Sequence, residues 1–277
     1  MAKIDKSKFT KEEIKQLFRK KQVEKNEKRK LKYDIQPLPT KPPEYNVLCL
    51  KHGTKYGSNY VNTLYSMVTK NLDLPFKFFC LTEDPTDLHA NINILPLPKL
   101  NRASGWWYKP YIFSKDIPIN GTILYLDLDI VITSKIDRLF NFYPGKYCIL
   151  RDFTRAMRPS WEKYNSSVIK FEKGNLSHVW EKFQKEHTTI VRKFFGDQDY
   201  LYDETKDTAT YFPDKWILSW KWEVRRNKQF ANGGTKGNRK FAVIENVRAP
   251  EDCCIAVFHG DPNPHNCEDP YIIEKWK

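Results

Sequence analysis

The chain has 277 residues, 40% of them hydrophobic and 14% aromatic, which is ample for a packed core and excludes wholesale disorder. Gly and Pro show no period, so a fibrous chain is excluded, and no run approaches the roughly 18 apolar residues of a membrane-spanning helix. The formal net charge of +13 invites a polyanionic partner, and where that charge sits decides what it means.

Residues 1–44 hold 14 Lys/Arg against 7 Asp/Glu, a net of +7, so more than half of the excess lies in a short N-terminal extension. Thr10 to Lys32 reads as a helix: Thr10 and Glu13 form a capping box, and no Gly or Pro interrupts before Pro37. Its apolar face is thin, with Ile14, Leu17 and Phe18 at helical spacing and then only Val23 and Leu31. The plain reading is a solvated helix ending in the rigid linker Pro37–Pro43. The sharper one is a basic arm making peripheral contact with an anionic membrane, or with nucleic acid. Against nucleic acid, the arm lacks interleaved aromatics and the chain carries no known recognition motif. The Lys-rich start has no apolar segment of a secretory signal, so a cytoplasmic setting with reduced thiols is expected. None of the six cysteines forms a C-x-x-C pair, and Cys49, Cys80 and Cys148 lie in apolar runs as small buried hydrophobes.

From residue 45 to 277 the pattern alternates strand-like and helix-like segments. Tyr45–Leu50 is a short apolar strand. In the loop that follows, His52, Gly53 and Tyr56 are candidates to hold a nucleotide, where a base stacks on a ring; an ordinary turn is the competing reading. Asn59–Leu72 carries Val61, Leu64, Tyr65 and Val68 at helical spacing. Phe76–Thr82 and Ile92–Leu97 read as further strands, Trp106–Phe113 as helical or irregular, and Thr122–Thr133 as the clearest strand. The result is an α/β fold with an open, mostly parallel sheet in a single domain, plus the N-terminal helical extension. Such sheets bind ligands at the carboxyl ends of their strands. The Gly-rich stretch 233–240 reads as a mobile loop.

Asp127 and Asp129 interrupt the apolar run from Ile123 to Ile132. Eighteen Asp in 277 residues make about one D-x-D by chance, so the spacing alone says little. Context says more. On one strand the two carboxylates face the same side and repel, and no Lys or Arg lies between Ile117 and Ser134 to pair them. A hard divalent cation, Mn2+ or Mg2+, resolves this through oxygen ligands while leaving positions open for phosphate. A structural ion pair with distant cations is the alternative.

Two families use such a strand. Haloacid-dehalogenase-like phosphotransferases have a D-x-D whose first Asp is the nucleophile, which would be Asp127 here. There the motif opens the fold, whereas here about 80 residues with two or three strands come first. The acidic residues after Gly196 also stand at the wrong offsets. The closer resemblance is to GT-A glycosyltransferases of family 8, the glycogenin-like enzymes, and it covers most of 45–277. Tyr164–Phe171, with Asn165, resembles that family's Asn-containing strand beside the sugar. Gly196-Asp-Gln-Asp resembles its donor- and acceptor-lining segment, and Val257–Pro264 its C-terminal His motif.

The resemblance implies transfer of a hexose from a nucleotide sugar, a UDP-sugar, to a carbohydrate, lipid or protein acceptor. It implies Asp127, Asp129 and His259 as metal ligands and Asp197, Gln198 and Asp199 around the reacting sugar. Gly260 lets backbone approach phosphate closely. Where the family has a Lys before the Pro, this chain has Asn263, so Lys109 or a lysine of 233–240 is expected to meet the diphosphate. Trp106 and Trp107 lie either in the core or against the donor.

Overall fold

The computed structural model describes residues 44–100, 105–226 and 246–277. The helix expected over Thr10–Lys32, the linker Pro37–Pro43 and the 233–240 loop lie outside them. The chain divides into two compact units, Met1–Pro43 and Glu44–Lys277, and the second holds every described residue.

Strand β1 (Tyr45–Lys51) is buried along six of its seven residues, the mark of a strand covered on both faces. Helix α1 (Ser58–Asn71) turns Tyr60, Val61, Leu64, Met67 and Val68 inward at helical spacing and returns the chain to β2 (Phe76–Thr82), parallel to β1. β3 (Ile92–Leu95) stops two residues short of the expected Leu97, because Pro96 has no N–H to continue a ladder. Gly105–Phe113 is a 3-10 segment with Pro110 inside it.

β4 (Thr122–Leu126) pairs in parallel with β1 and antiparallel with β7 (Tyr164–Glu172). β6 (Cys148–Arg151) and β8 (Thr210–Tyr211) complete a seven-stranded sheet in the order β3-β2-β1-β4-β7-β6-β8. A second sheet, β5-β10-β9, joins β5 (Ile130–Ile132), β9 (Ile217–Ser219) and β10 (Ile255–Val257). The other α-helices among the described residues are α2 (Asp137–Asn141), α3 (Ser177–Lys193), α4 (Asp197–Thr205) and α5 (Pro270–Lys275).

Alternate residues of the central strands feed two cores. Val47, Cys49, Leu124 and Leu126 pack with α1 and the second sheet. Leu48, Leu50, Ile123 and Tyr125 pack with the 3-10 segment, α3 and α4. All six cysteines are buried and free. No described helix is long and apolar enough to cross a membrane.

One expectation is corrected. Thr122–Thr133 is not one strand: β4 ends at Leu126 and β5 begins at Ile130 in the other sheet. The Asp127 N–H donates to the Ser167 carbonyl (2.9 Å), while the Asp129 carbonyl accepts from Phe258 N–H (3.0 Å). The chain thus changes partners across Asp127-Leu128-Asp129. A continuous strand between two covered faces would bury both charges, and the switch of sheets is where carboxylates can reach solvent.

Candidate active site

The break between β4 and β5 opens into a cavity of about 360 Å3, lined among others by His52, Lys55, Tyr56, Trp106, Lys109, Asp127 and Asp129. Its floor is a buried polar cluster centred on Lys109, which the 3-10 segment drives into the domain. Lys109 Nζ lies 2.9 Å from Asp127 Oδ1, 3.5 Å from Asp197 Oδ2 and 2.9 Å from Ser166 Oγ. Tyr125 donates its hydroxyl to Asp127 Oδ1 (2.7 Å), and Ser166 donates to Asp197 Oδ2 (2.6 Å). Gln198 Oε1 accepts from the Ser166 N–H (2.9 Å), so the start of α4 is tied to β7. Burial pushes the Lys109 pKa down, but the charges of Asp127 and Asp197 outweigh it and the net shift is upward. Burial likewise raises Asp197, against the pull of Lys109.

Asp129 is held differently. Tyr56 donates its hydroxyl to Asp129 Oδ2 (3.0 Å), and the Asn263 side-chain amide lies 3.2 Å from the same hydroxyl. The Asp129 pKa is pushed up to about 6, first by burial and then by the charge of Asp127; the hydrogen bond from Tyr56 and the charge of Lys55 act against this. A carboxyl held up by burial beside a second carboxylate suits a divalent cation, which would favour its charged form. The third expected ligand does not join them: among the described residues no three His, Cys, Asp or Glu side chains come together as a metal-binding group. His259 stacks on Phe153, and its Nε2 lies 2.6 Å from Ser219 Oγ. Burial and then Lys221 push its pKa down to about 4, so the imidazole is neutral. With Nε2 engaged, only Nδ1 remains as a metal donor, which requires Nε2–H to donate to Ser219.

The other expected site residues fall in several places. His52 lines the cavity beside Tyr108, with its pKa lowered by burial. Gly53 takes a left-handed φ of 59° and donates its N–H to Glu83. Asn165 turns its side-chain oxygen to Ser167 N–H (3.0 Å), so Ser166 and not Asn165 enters the Lys109 cluster. Asp199 is half-exposed, 4.0 Å from Lys163. Gly260, at φ 72°, lies by Lys221, which donates to the His259 carbonyl (2.9 Å). Trp107 is buried in the core against Phe183, whereas Trp106 is 54% exposed at the cavity and meets Gly196. Ser166, Tyr125, Ser219 and Lys55 were not singled out by sequence reasoning. Ser166 at least lies in the quoted β7 segment, where alternation along the strand separates it from Asn165.

No protein-family model and no curated protein sequence matches the chain. Solved structures do. The glycosyltransferase GlyE of Streptococcus pneumoniae TIGR4 superposes with a TM-score of 0.58 at 13% identity, over 84% of this chain and 62% of that one. The galactosyltransferase LgtC, in a structure with donor and acceptor sugar analogs, gives 0.56 at 12% identity, over 83% of this chain and 93% of that one. The bifunctional glycosyltransferase WbbM gives 0.56 at 12%, and this chain spans 50% of its length. A phosphotransferase fold that opens on its D-x-D strand is excluded, since β4 follows three strands of the same sheet. From Glu44 onward the chain adopts the GT-A fold shared by these glycosyltransferases.

Proposed function

We propose that the chain is a glycosyltransferase that moves a sugar from a nucleoside diphosphate donor, a UDP-sugar, to a carbohydrate acceptor. The observation that carries this reading is the arrangement of Asp127 and Asp129 in a cavity also lined by Lys109, which is held from behind by Asp197 and Ser166. Cleaving the bond from the anomeric carbon to the diphosphate builds negative charge on the leaving group as the sugar becomes oxocarbenium-like. A divalent ion held by Asp127 and Asp129 would supply charge neutralisation to that leaving group.

The chain's own residues divide the remaining work. Lys109 fixes the Asp127 carboxylate and leaves its outward face available. Asp197 is buried and engaged by Lys109 and Ser166, so it acts as a positioning residue rather than as a base on the acceptor. Gln198 braces Ser166. Asp199, half-exposed beside Lys163, would meet a sugar hydroxyl, and the exposed Trp106 and Phe195 (92% exposed) would offer apolar faces to an acceptor ring.

The test is thermal unfolding with and without UDP and Mn2+, followed by a nucleotide-sugar hydrolysis screen. UDP and Mn2+ together are expected to add RT ln(1 + [L]/Kd) to the stability, roughly 2.7 kcal/mol at a hundredfold excess over Kd, and so to raise the midpoint, and Asp129→Asn to abolish that rise. Absence of any shift with every nucleoside diphosphate tried would overturn the proposal.

A further inference from the structure

We propose that Lys55 is the cation that takes up the negative charge of the donor diphosphate; this rests on the nucleotide-sugar reading above. The charges around the cavity require such a group. Asp127, Asp129 and Asp197 bring three carboxylates, and the buried Lys109 offsets one of them. A divalent ion on Asp127 and Asp129 would balance the other two, so the charge that an incoming diphosphate brings is left without a cation of its own. Lys109 cannot also serve the diphosphate, because its ammonium is enclosed by Asp127, Asp197 and Ser166. Lys221 directs its ammonium to the His259 carbonyl and does not line the cavity. Asn263 is neutral and sits against the Tyr56 hydroxyl.

Lys55 differs from all of these. It is exposed, lines the same cavity as the two carboxylates, and holds its ammonium 4.7 Å from the centre of the Tyr56 ring. Tyr56 in turn donates to Asp129, so this one loop, between β1 and α1, sets a cation on a ring beside the D-x-D carboxylates. A ring face steers a lysine without neutralising it, which leaves its N–H donors for phosphate oxygens.

Calorimetric titration of the full chain with UDP and with uridine, each with and without Mn2+, tests the assignment. Lys55→Gln is expected to weaken UDP binding about tenfold or more while leaving uridine binding unchanged, and Lys55→Arg to keep most of the UDP affinity. The thermal midpoint should not move, since the side chain is exposed. If wild type binds UDP and Lys55→Gln binds it within about twofold as well, the assignment fails and the transferase reading stands. Equal losses for UDP and uridine would also overturn it, by showing that Lys55 shapes the loop rather than reading phosphate. If wild type binds no UDP under either condition, both readings fall together.

Discussion

At the scale of single residues, Gly121 and Asp129 show structure and function pulling on side-chain choice in opposite ways. Gly121 takes φ 82° just before β4, and a Cβ there would collide with the Glu44 carbonyl oxygen, which is the acceptor for Thr122 N–H. Gly121→Ala should therefore cost about 2 kcal/mol or more, lowering the thermal midpoint by roughly 5 °C. Asp129 is a residue the fold would be more stable without. Its carboxyl is raised to about 6 in the folded chain, so it takes up protons on folding. The stability it allows is fully present at low pH and is lost as pH rises from about 4 through about 6. Asp129→Asn, which keeps an oxygen for Tyr56, should then raise the metal-free midpoint near neutral pH and leave it unchanged near pH 4. The gain is on the order of 1 kcal/mol, less than the raised carboxyl alone would give, because the carboxylate partly reaches water. The same variant is expected to lose the midpoint rise with UDP and Mn2+. A destabilised Asp129→Asn at neutral pH would mean that the carboxylate is structural.

At the scale of elements, the Lys109 cluster ties four of them together: the 3-10 segment, β4, β7 and α4. Lys109→Met leaves Asp127 and Asp197 without their cation and should cost about 3–5 kcal/mol in denaturant unfolding. Adding Asp197→Asn to Lys109→Met should recover part of that, and strict additivity in this double-mutant cycle would show that the pair is not coupled. These contacts also mark how far the sequence could be read. The strands from Tyr45, Phe76 and Ile92, and the helix over Asn59–Leu72, were legible because apolar spacing reports burial directly. The split of Thr122–Thr133 was not, because apolar residues record that a segment is buried but not which sheet buries it. β5 pairs with Val257 and its neighbours, more than a hundred residues downstream. Likewise D-x-D was readable as a pair of carboxylates needing a cation, and the sequence offered no Lys nearby. The partner of Asp127 arrives from the 3-10 segment through tertiary packing, as does the Ser219 hydroxyl that occupies His259. Short motifs name reactive groups; the contacts that set their protonation come from elsewhere in the fold.

At the scale of the molecule, the +13 charge divides at the boundary between the two units, +8 on residues 1–43 and, with Glu44 counted there, +5 on residues 44–277. Among the described residues, both apolar cores are built from Tyr45 and beyond. We propose that the net +8 of residues 1–43 holds the chain against an anionic membrane surface. Deleting residues 1–43 should leave the thermal midpoint, and its rise with UDP and Mn2+, close to those of the full chain. The full chain should sediment with vesicles containing phosphatidylserine and not with neutral phosphatidylcholine vesicles. That binding should fall as salt approaches about 1 M, where the screening length shrinks to about 3 Å. The shortened chain should bind neither kind of vesicle. Should it still bind phosphatidylserine, the net +5 of residues 44–277 would be the anchor. A full chain that ignores vesicles but binds nucleic acid with the same salt dependence would move the arm's partner to a polynucleotide.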